Sequence, residues 1–178
     1  VDDAEAVRLV LAGDRVGAAY VIEKYQMDVY NASLRIVGNP ADAEDVAQDT
    51  FLAALDRLAT YRPEQALGPW LRAIARNRSI DLVRRRARAP QPRPDPEALG
   101  QTVEGVALEH IEAARVRSAL QRLPARERAL LVLRYWEDQP VESIARAMAM
   151  SDGAVRVALL RARRSLGVLL NEEAGVAV

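Results

Sequence analysis

Apolar positions recur at i, i+3 and i+4 along nearly the whole chain, and the interruptions between them are glycine, proline, asparagine or aspartate. That period predicts helices, with no segment alternating at the period of two that a half-buried strand requires. A short helix is expected over 3–12, stopped by Gly13 and Asp14, and a longer one over 16–37, stopped by Gly38. Asn39, Pro40 and Asp42 then supply an N-cap, a proline at the first helical position and an acid in the first turn, which opens a helix over 41–61. After a loop at 62–68, Pro69 opens a helix to 88. Further on, helices are expected over 107–122, 124–136, 141–149 and 152–170, with a turn at 137–140 and Ser151 as the last N-cap.

Between these groups lies APQPRPDP, four prolines at alternate positions from Pro90 to Pro96. Such a run has no helical hydrogen bonding and is expected to be extended and semi-rigid. The fold class is therefore all-α: two small helical domains, 1–88 and 107–178, joined by a proline-rich linker over 89–106. The pair 141–149 and 152–170, a short helix, a tight turn and a basic helix, has the form of a helix-turn-helix whose second helix enters a major groove.

Two helices carry unusual polar faces. On a wheel at about 100° per residue, Ala43, Ala47, Phe51, Ala54, Leu55 and Leu58 form the buried stripe of the third helix. Asp42, Asp45, Asp49 and Asp56 line up opposite, with Gln48 and Leu52 beside them. A solvated acidic face has this pattern, and so does an interface with an apolar anchor inside a polar rim. In the next helix Trp70, Ile74, Asn77, Asp81 and Arg84 share one face, while Leu71, Ala75 and Leu82 share another. Trp70 suits either a small core or stacking on an unpaired base.

Charge sharpens this picture. The 25 bases and 25 acids cancel overall, yet residues 62–94 hold nine arginines against Glu64 and Asp81 alone. A run of that sign suits phosphate neutralisation, with Arg84, Arg85, Arg86 and Arg88 placed to position a backbone rather than to read bases. Residues 1–61, with eleven acids and five bases, are the counterweight, so distinct surfaces are expected to meet distinct partners.

Other chemistries find little support. There is no cysteine, hence no disulfide or thiolate metal site. The one histidine, His110, lies beside Glu109 and Glu112 on an expected surface helix, and neither a phosphate loop nor a nucleophile arrangement is present. No enzymatic activity and no cofactor are expected. The apolar run 129–133 is far shorter than the roughly 20 residues that span a bilayer, and the acidic start VDDAEAVR is unlike a signal peptide. A cytoplasmic location without membrane insertion is the expectation.

The run DAEDVAQDTFLAALDRL from Asp42, followed by YRPEQALGPWLRAIARNRSIDLVRRR from Tyr61, resembles region 2 of bacterial sigma factors of the extracytoplasmic-function (ECF) class. ALQRLPARERALLVLRYWEDQPVESIARAMAMSDGAVRVALLRARRSL from Ala119 resembles their region 4. The resemblance covers nearly the whole chain in the right order. It implies an initiation subunit that binds the clamp helices and β flap of core RNA polymerase, opens promoter DNA at the minus-ten element, reads the minus-thirty-five element and is held by an anti-sigma protein. By position it places Asp45, Gln48, Asp49 and Leu52 at the clamp. Trp70, Arg76, Asn77, Arg78, Asp81, Arg84 and Arg85 fall at minus-ten DNA, and the loop 64–69 at the capture of a flipped base. Ser151, Arg156, Val157, Leu160, Arg161, Arg163 and Arg164 fall at minus-thirty-five DNA.

Three departures are visible. Leu67, Gly68 and Pro69 stand where the family usually has an aromatic followed by a basic or polar residue, which argues against capture by stacking. Ala149 occupies a helix-turn-helix corner where glycine is usual, at a cost on the order of 1 kcal/mol if its φ is positive. In the recognition helix the core stripe Val155, Ala158, Leu159, Ala162 and Leu166 leaves Val157 and Leu160 outward, either to touch thymine methyls or to form a protein-binding patch. A sigma-like adaptor that binds polymerase or an anti-sigma protein without reading a promoter is the alternative these departures leave open.

Overall fold

The computed structural model describes residues 1–62, 64, 66–88 and 108–175, with side chains described for all of these but 108–111 and 173–175. The linker 89–106 and the His110 side chain lie outside the described residues. Among the described residues there is no strand. The helices are α1 (Asp3–Leu11), α2 (Arg15–Val37), α3 (Pro40–Arg57), α4 (Leu67–Arg88), α5 (Leu108–Arg122), α6 (Ala125–Leu131), α7 (Val141–Met148) and α8 (Asp152–Gly175). A 3-10 turn, Leu58–Thr60, closes α3, and a π turn, Val132–Trp136, continues α6.

Local chemistry sets the ends of these elements. Asp2, Asp14, Asn39 and Ser151 each accept a backbone N–H of the following first turn, at 2.8, 2.8, 3.1 and 3.2 Å, satisfying donors that the helix itself leaves open. Gly38 ends α2 in the left-handed region at φ 71°. Ala149 ends α7 there too, at φ 52° and ψ 51°, so the corner adopts the costly conformation the sequence implied. The basic helix starts two residues earlier than Pro69 suggested, at Leu67, and α8 runs five residues beyond 170.

Helices α1 to α4 pack around Ala6, Val21, Val29, Phe51, Leu58, Leu67, Leu71 and Ala75. Leu67 is 1% exposed, and burying such a side chain is worth about 1.5–3 kcal/mol. Small residues let the helices approach. A Cβ on Gly17 would lie 2.5 Å from the Ala6 carbonyl oxygen, so only glycine allows α2 to lie this close to α1. Ser33, Thr50 and Ser79 are fully buried, and each hydroxyl donates to the carbonyl four residues back, at 2.9, 2.7 and 2.8 Å. The hydrogen-bonding need of each is met within its own helix.

Polar contacts pin α1. Lys24 Nζ and the Tyr25 hydroxyl donate to the two oxygens of Asp3, each at 2.7 Å. Burial raises the Asp3 carboxyl, but these two donors outweigh it and hold its pKa below the ordinary value of 3.8.

The second half, α5 to α8, surrounds Leu123, Leu130, Leu133, Ile144, Met148, Val155, Leu159 and Ala162. Its core also takes in Ile36 of α2 and Ile80 and Val83 of α4. The two groups of helices predicted as separate domains thus share one apolar cluster, because the last turns of α2 and the middle of α4 carry apolar residues on the face away from the first bundle.

Candidate nucleic-acid and protein interfaces

On α3 the wheel is correct for all but one acid. Asp45, Gln48, Asp49 and Asp56 are exposed, and Leu52, at 64% exposure, projects among them. Asp42 is the exception. It is buried and accepts both terminal nitrogens of Arg86 from α4, because Val46, Thr50 and Ala53 extend the buried arc of α3 as far as position 42. The outward face is therefore a three-aspartate stripe with one large apolar side chain, a composition suited to a polar or basic protein surface.

The arginines of α4 are less free than a count implies. Arg86 belongs to Asp42, Arg72 lies 2.5 Å from Asp28, and Arg84 3.7 Å from Asp81. Arg78 Nη1 stands 3.9 Å from Asp49, linking the basic helix to the acidic stripe. A cleft of about 310 Å³ is lined by Val46, Asp49, Arg78, Asp81, Arg84, Arg85 and Arg88. It gathers four arginines against two carboxylates, which leaves the net positive charge a phosphate requires.

Arg76 and Asn77 face elsewhere. They line a second cleft of about 420 Å³ with Gln139, Ser143 and Arg146 from the second half of the chain, and Arg76 Nη1 is 4.0 Å from Glu137. Six of the residues expected at minus-ten DNA are therefore divided between two clefts, and Trp70 lines neither.

The 64–69 loop is shorter than expected. Leu67, Gly68 and Pro69 form the first turn of α4, and Leu67 is core. A side chain packed in the interior cannot receive a base, so the capture role does not extend to Leu67. Trp70 is half-buried and rests against Tyr61, ring centroids 5.2 Å apart at 60°. Burial pushes the Tyr61 hydroxyl up, so it stays protonated.

On α8, Val155, Leu159 and Ala162 are buried, while Ala158 and Leu166 are partly so. Arg156, Val157, Leu160, Arg161, Arg163 and Arg164 are exposed, with Val157 at 50% and Leu160 at 41%. Arg163 Nη1 reaches the Tyr135 hydroxyl at 3.3 Å, fixing one edge of this face. The Ser151 hydroxyl accepts the Ala154 N–H and is thus first a cap.

Sequence reasoning missed Arg128 and the aromatic pair after it. Arg128 interrupts the apolar face of α6 and is 5% exposed. A lone charge at a core position of that periodicity was the available signal. Tyr135 and Trp136 are 59% and 53% exposed, and the Arg35 guanidinium carbon lies 5.0 Å from the Trp136 ring centre. Among the described residues no helix is long and apolar enough to cross a membrane, and no cluster of three or more histidine, cysteine or carboxylate side chains could hold a metal.

Comparison with known proteins identifies the family. The sigma-70 region 2 family matches residues 21–89 and the sigma-70 region 4 family residues 113–166. The RNA polymerase sigma-H factor of Pseudomonas aeruginosa is 31% identical, over 92% of this chain and 91% of that protein. The ECF sigma factor SigW of Bacillus subtilis is 25% identical, over 90% and 92%. Among solved structures, CnrH in complex with the cytosolic domain of CnrY aligns over 96% of this chain and 97% of that one, with a TM-score of 0.50 and 26% identity. The sigma factor RpoE of Bartonella quintana, in complex with the anti-sigma factor NepR, shares the fold at a TM-score of 0.51 and 21% identity, over 86% and 96%. With both conserved regions matched in order and a relative of 31% identity aligned nearly end to end, the chain belongs to the ECF class of RNA polymerase sigma factors.

Proposed function

We propose that this sigma factor binds core RNA polymerase, recognises promoter DNA at two elements and opens it. The observation that carries the reading is the pairing of faces in the first bundle, where the acidic stripe of α3 lies along the basic cleft of α4 and Arg78 joins the two. Adjoining surfaces of opposite sign suit a protein that holds a polar or basic protein surface on one side and a DNA strand on the other. In this reading 1–88 is the region 2 domain, 89–106 the linker and 107–178 the region 4 domain. Asp45, Gln48, Asp49 and Leu52 meet the clamp. Arg78, Arg84 and Arg85 position the minus-ten backbone, with Asp81 orienting Arg84, while Arg76, Asn77 and Trp70 contact the separated strand. Extruding a base costs a few kcal/mol, which these contacts must offset. In α8, Arg156, Arg161, Arg163 and Arg164 hold phosphates of the minus-thirty-five duplex, Ser151 sets the first turn, and Val157 and Leu160 touch thymine methyls. That CnrH is held in a complex with the cytosolic domain of CnrY, and RpoE in one with the anti-sigma factor NepR, supports a protein partner of the anti-sigma kind.

Run-off transcription with purified bacterial core polymerase and a promoter selected from random sequence tests the reading. The parent protein should yield a promoter-specific transcript when it is the only added factor. Asp49→Lys with Leu52→Glu should abolish polymerase binding without loss of helicity. Binding to polymerase with no transcript from any template would favour the adaptor reading, which rests on the exposed Val157 and Leu160.

A further inference from the structure

The guanidinium of Arg128 is shared between the two halves of the chain. Its Nη1 donates to the carbonyls of Gln121 and Leu123 at 3.1 and 3.0 Å, within its own half. Its Nε donates across to the Ile36 carbonyl at 3.1 Å and its Nη2 to that of Val37. Ile36 and Val37 end α2, where carbonyls lack partners along the helix and carry the negative end of its dipole. Burial pushes the Arg128 pKa down to about 10, so the group remains charged at neutral pH.

Gly38 is matched to this group. Its φ of 71° is left-handed, and a Cβ added there would lie 2.2 Å from the Arg128 guanidinium carbon. Around the contact, Ile36, Ile80 and Val83 are buried in the second core, Arg76 is paired with Glu137, and Asn77 lines the cleft against Ser143 and Arg146.

We propose that Arg128 is a conformational latch: by capping the C-terminus of α2 from the other half of the chain, it holds the two halves closed over the Arg76 and Asn77 face of α4. Two of its four carbonyl partners come from each half. Once the halves separate, water satisfies Ile36 and Val37 as well as it satisfies any helix end, so the arginine stabilises the closed state selectively. That closure restrains strand binding rests on the reading of α4 given above. The latch itself does not.

The absence of cysteine permits spin labels at Glu23→Cys in α2 and Glu142→Cys in α7, both exposed. Their separation is read by double electron–electron resonance in the full chain. The parent should give a narrow, short distribution. Arg128→Met and Gly38→Ala should both shift it to longer, broader distances, and Arg128→Lys should fall between. Gly13→Ala is the control, since Gly13 also has a positive φ, 81°, but an added Cβ meets nothing within 4 Å.

Should Arg128→Met lose helicity, Gly38→Ala decides, because it keeps the guanidinium and displaces it. Unchanged distances in Gly38→Ala and Arg128→Lys, or an equal shift in Gly13→Ala, would overturn the latch. Gly38→Ala should also bind a labelled oligothymidylate about tenfold more tightly than the parent. Open distances without that gain would support the latch and count against strand binding by α4.

Discussion

Asp42 of α3 accepts both terminal nitrogens of Arg86 of α4, the Nη2 to Oδ1 distance being 2.6 Å, and so fastens the acidic helix to the basic one from within. Asp42→Ala would remove the carboxylate from this contact, at a cost of about 1–2 kcal/mol given that Arg86 is half exposed. Urea unfolding should register this loss. The double variant with Arg86→Ala should be less destabilised than the sum of the two singles, because both report one interaction.

Leu67 offers a sharper contrast. Leu67→Ala should lower stability by about 2–5 kcal/mol, the range for truncation in a closed core. A surface residue waiting for a flipped base would lose less than about 0.5 kcal/mol. Chemical denaturation distinguishes the two outcomes without any DNA.

Ala149→Gly should raise stability. The left-handed conformation at φ 52° is strained for alanine and free for glycine, and the gain should be about 0.5–1 kcal/mol after the entropy of the unfolded glycine is allowed for. For a chain of this size that is a rise of roughly 1–4 °C in Tm, with α7 and α8 otherwise unchanged.

Val157 and Leu160 can be tested from the DNA side. Replacing minus-thirty-five thymines by deoxyuridine removes only methyl groups, each worth up to ~0.8 kcal/mol when buried. The parent should lose about threefold in duplex affinity per contacted methyl, and Val157→Ser with Leu160→Ser should become insensitive to the change. Indifference of the parent to deoxyuridine would assign this patch to a protein partner instead.

Acid should loosen α1 in a defined window. The folded Asp3 carboxyl titrates below its ordinary value of 3.8, so its contribution is fully present above 3.8 and disappears as pH falls through the lower folded value. In Asp3→Asn this part of the acid sensitivity should vanish, as read by the pH dependence of hydrogen exchange in α1.

The helical fold was legible because its signals are local. Asn39, Pro40 and Ser151 announce their helices through backbone geometry that adjacent residues determine, and Val155, Leu159 and Ala162 through period alone. The exposed half of the α3 face was legible for the same reason. What escaped depends on residues distant in sequence. Asp42 looks like a surface acid until Arg86, 44 positions on, is placed against it. Arg128 looks misplaced until the end of α2, 91 positions back, supplies carbonyls for it. Leu67 reads as loop because Pro69 is a strong start signal, yet the first turn of a helix tolerates proline, and the core drew the helix two residues further back.

Ser33, Thr50 and Ser79 turn the first bundle into something like a ruler. Their hydroxyls are answered within their own helices, so these fully buried positions of α2, α3 and α4 pack by side-chain size and ask nothing polar of the neighbouring helices. Exchanging Ser33 or Ser79 for valine or leucine would enlarge a fully buried position, whereas Thr50→Val would keep the size and lose only the hydrogen bond to the Val46 carbonyl, so the three positions separate the effect of width from the effect of a bond.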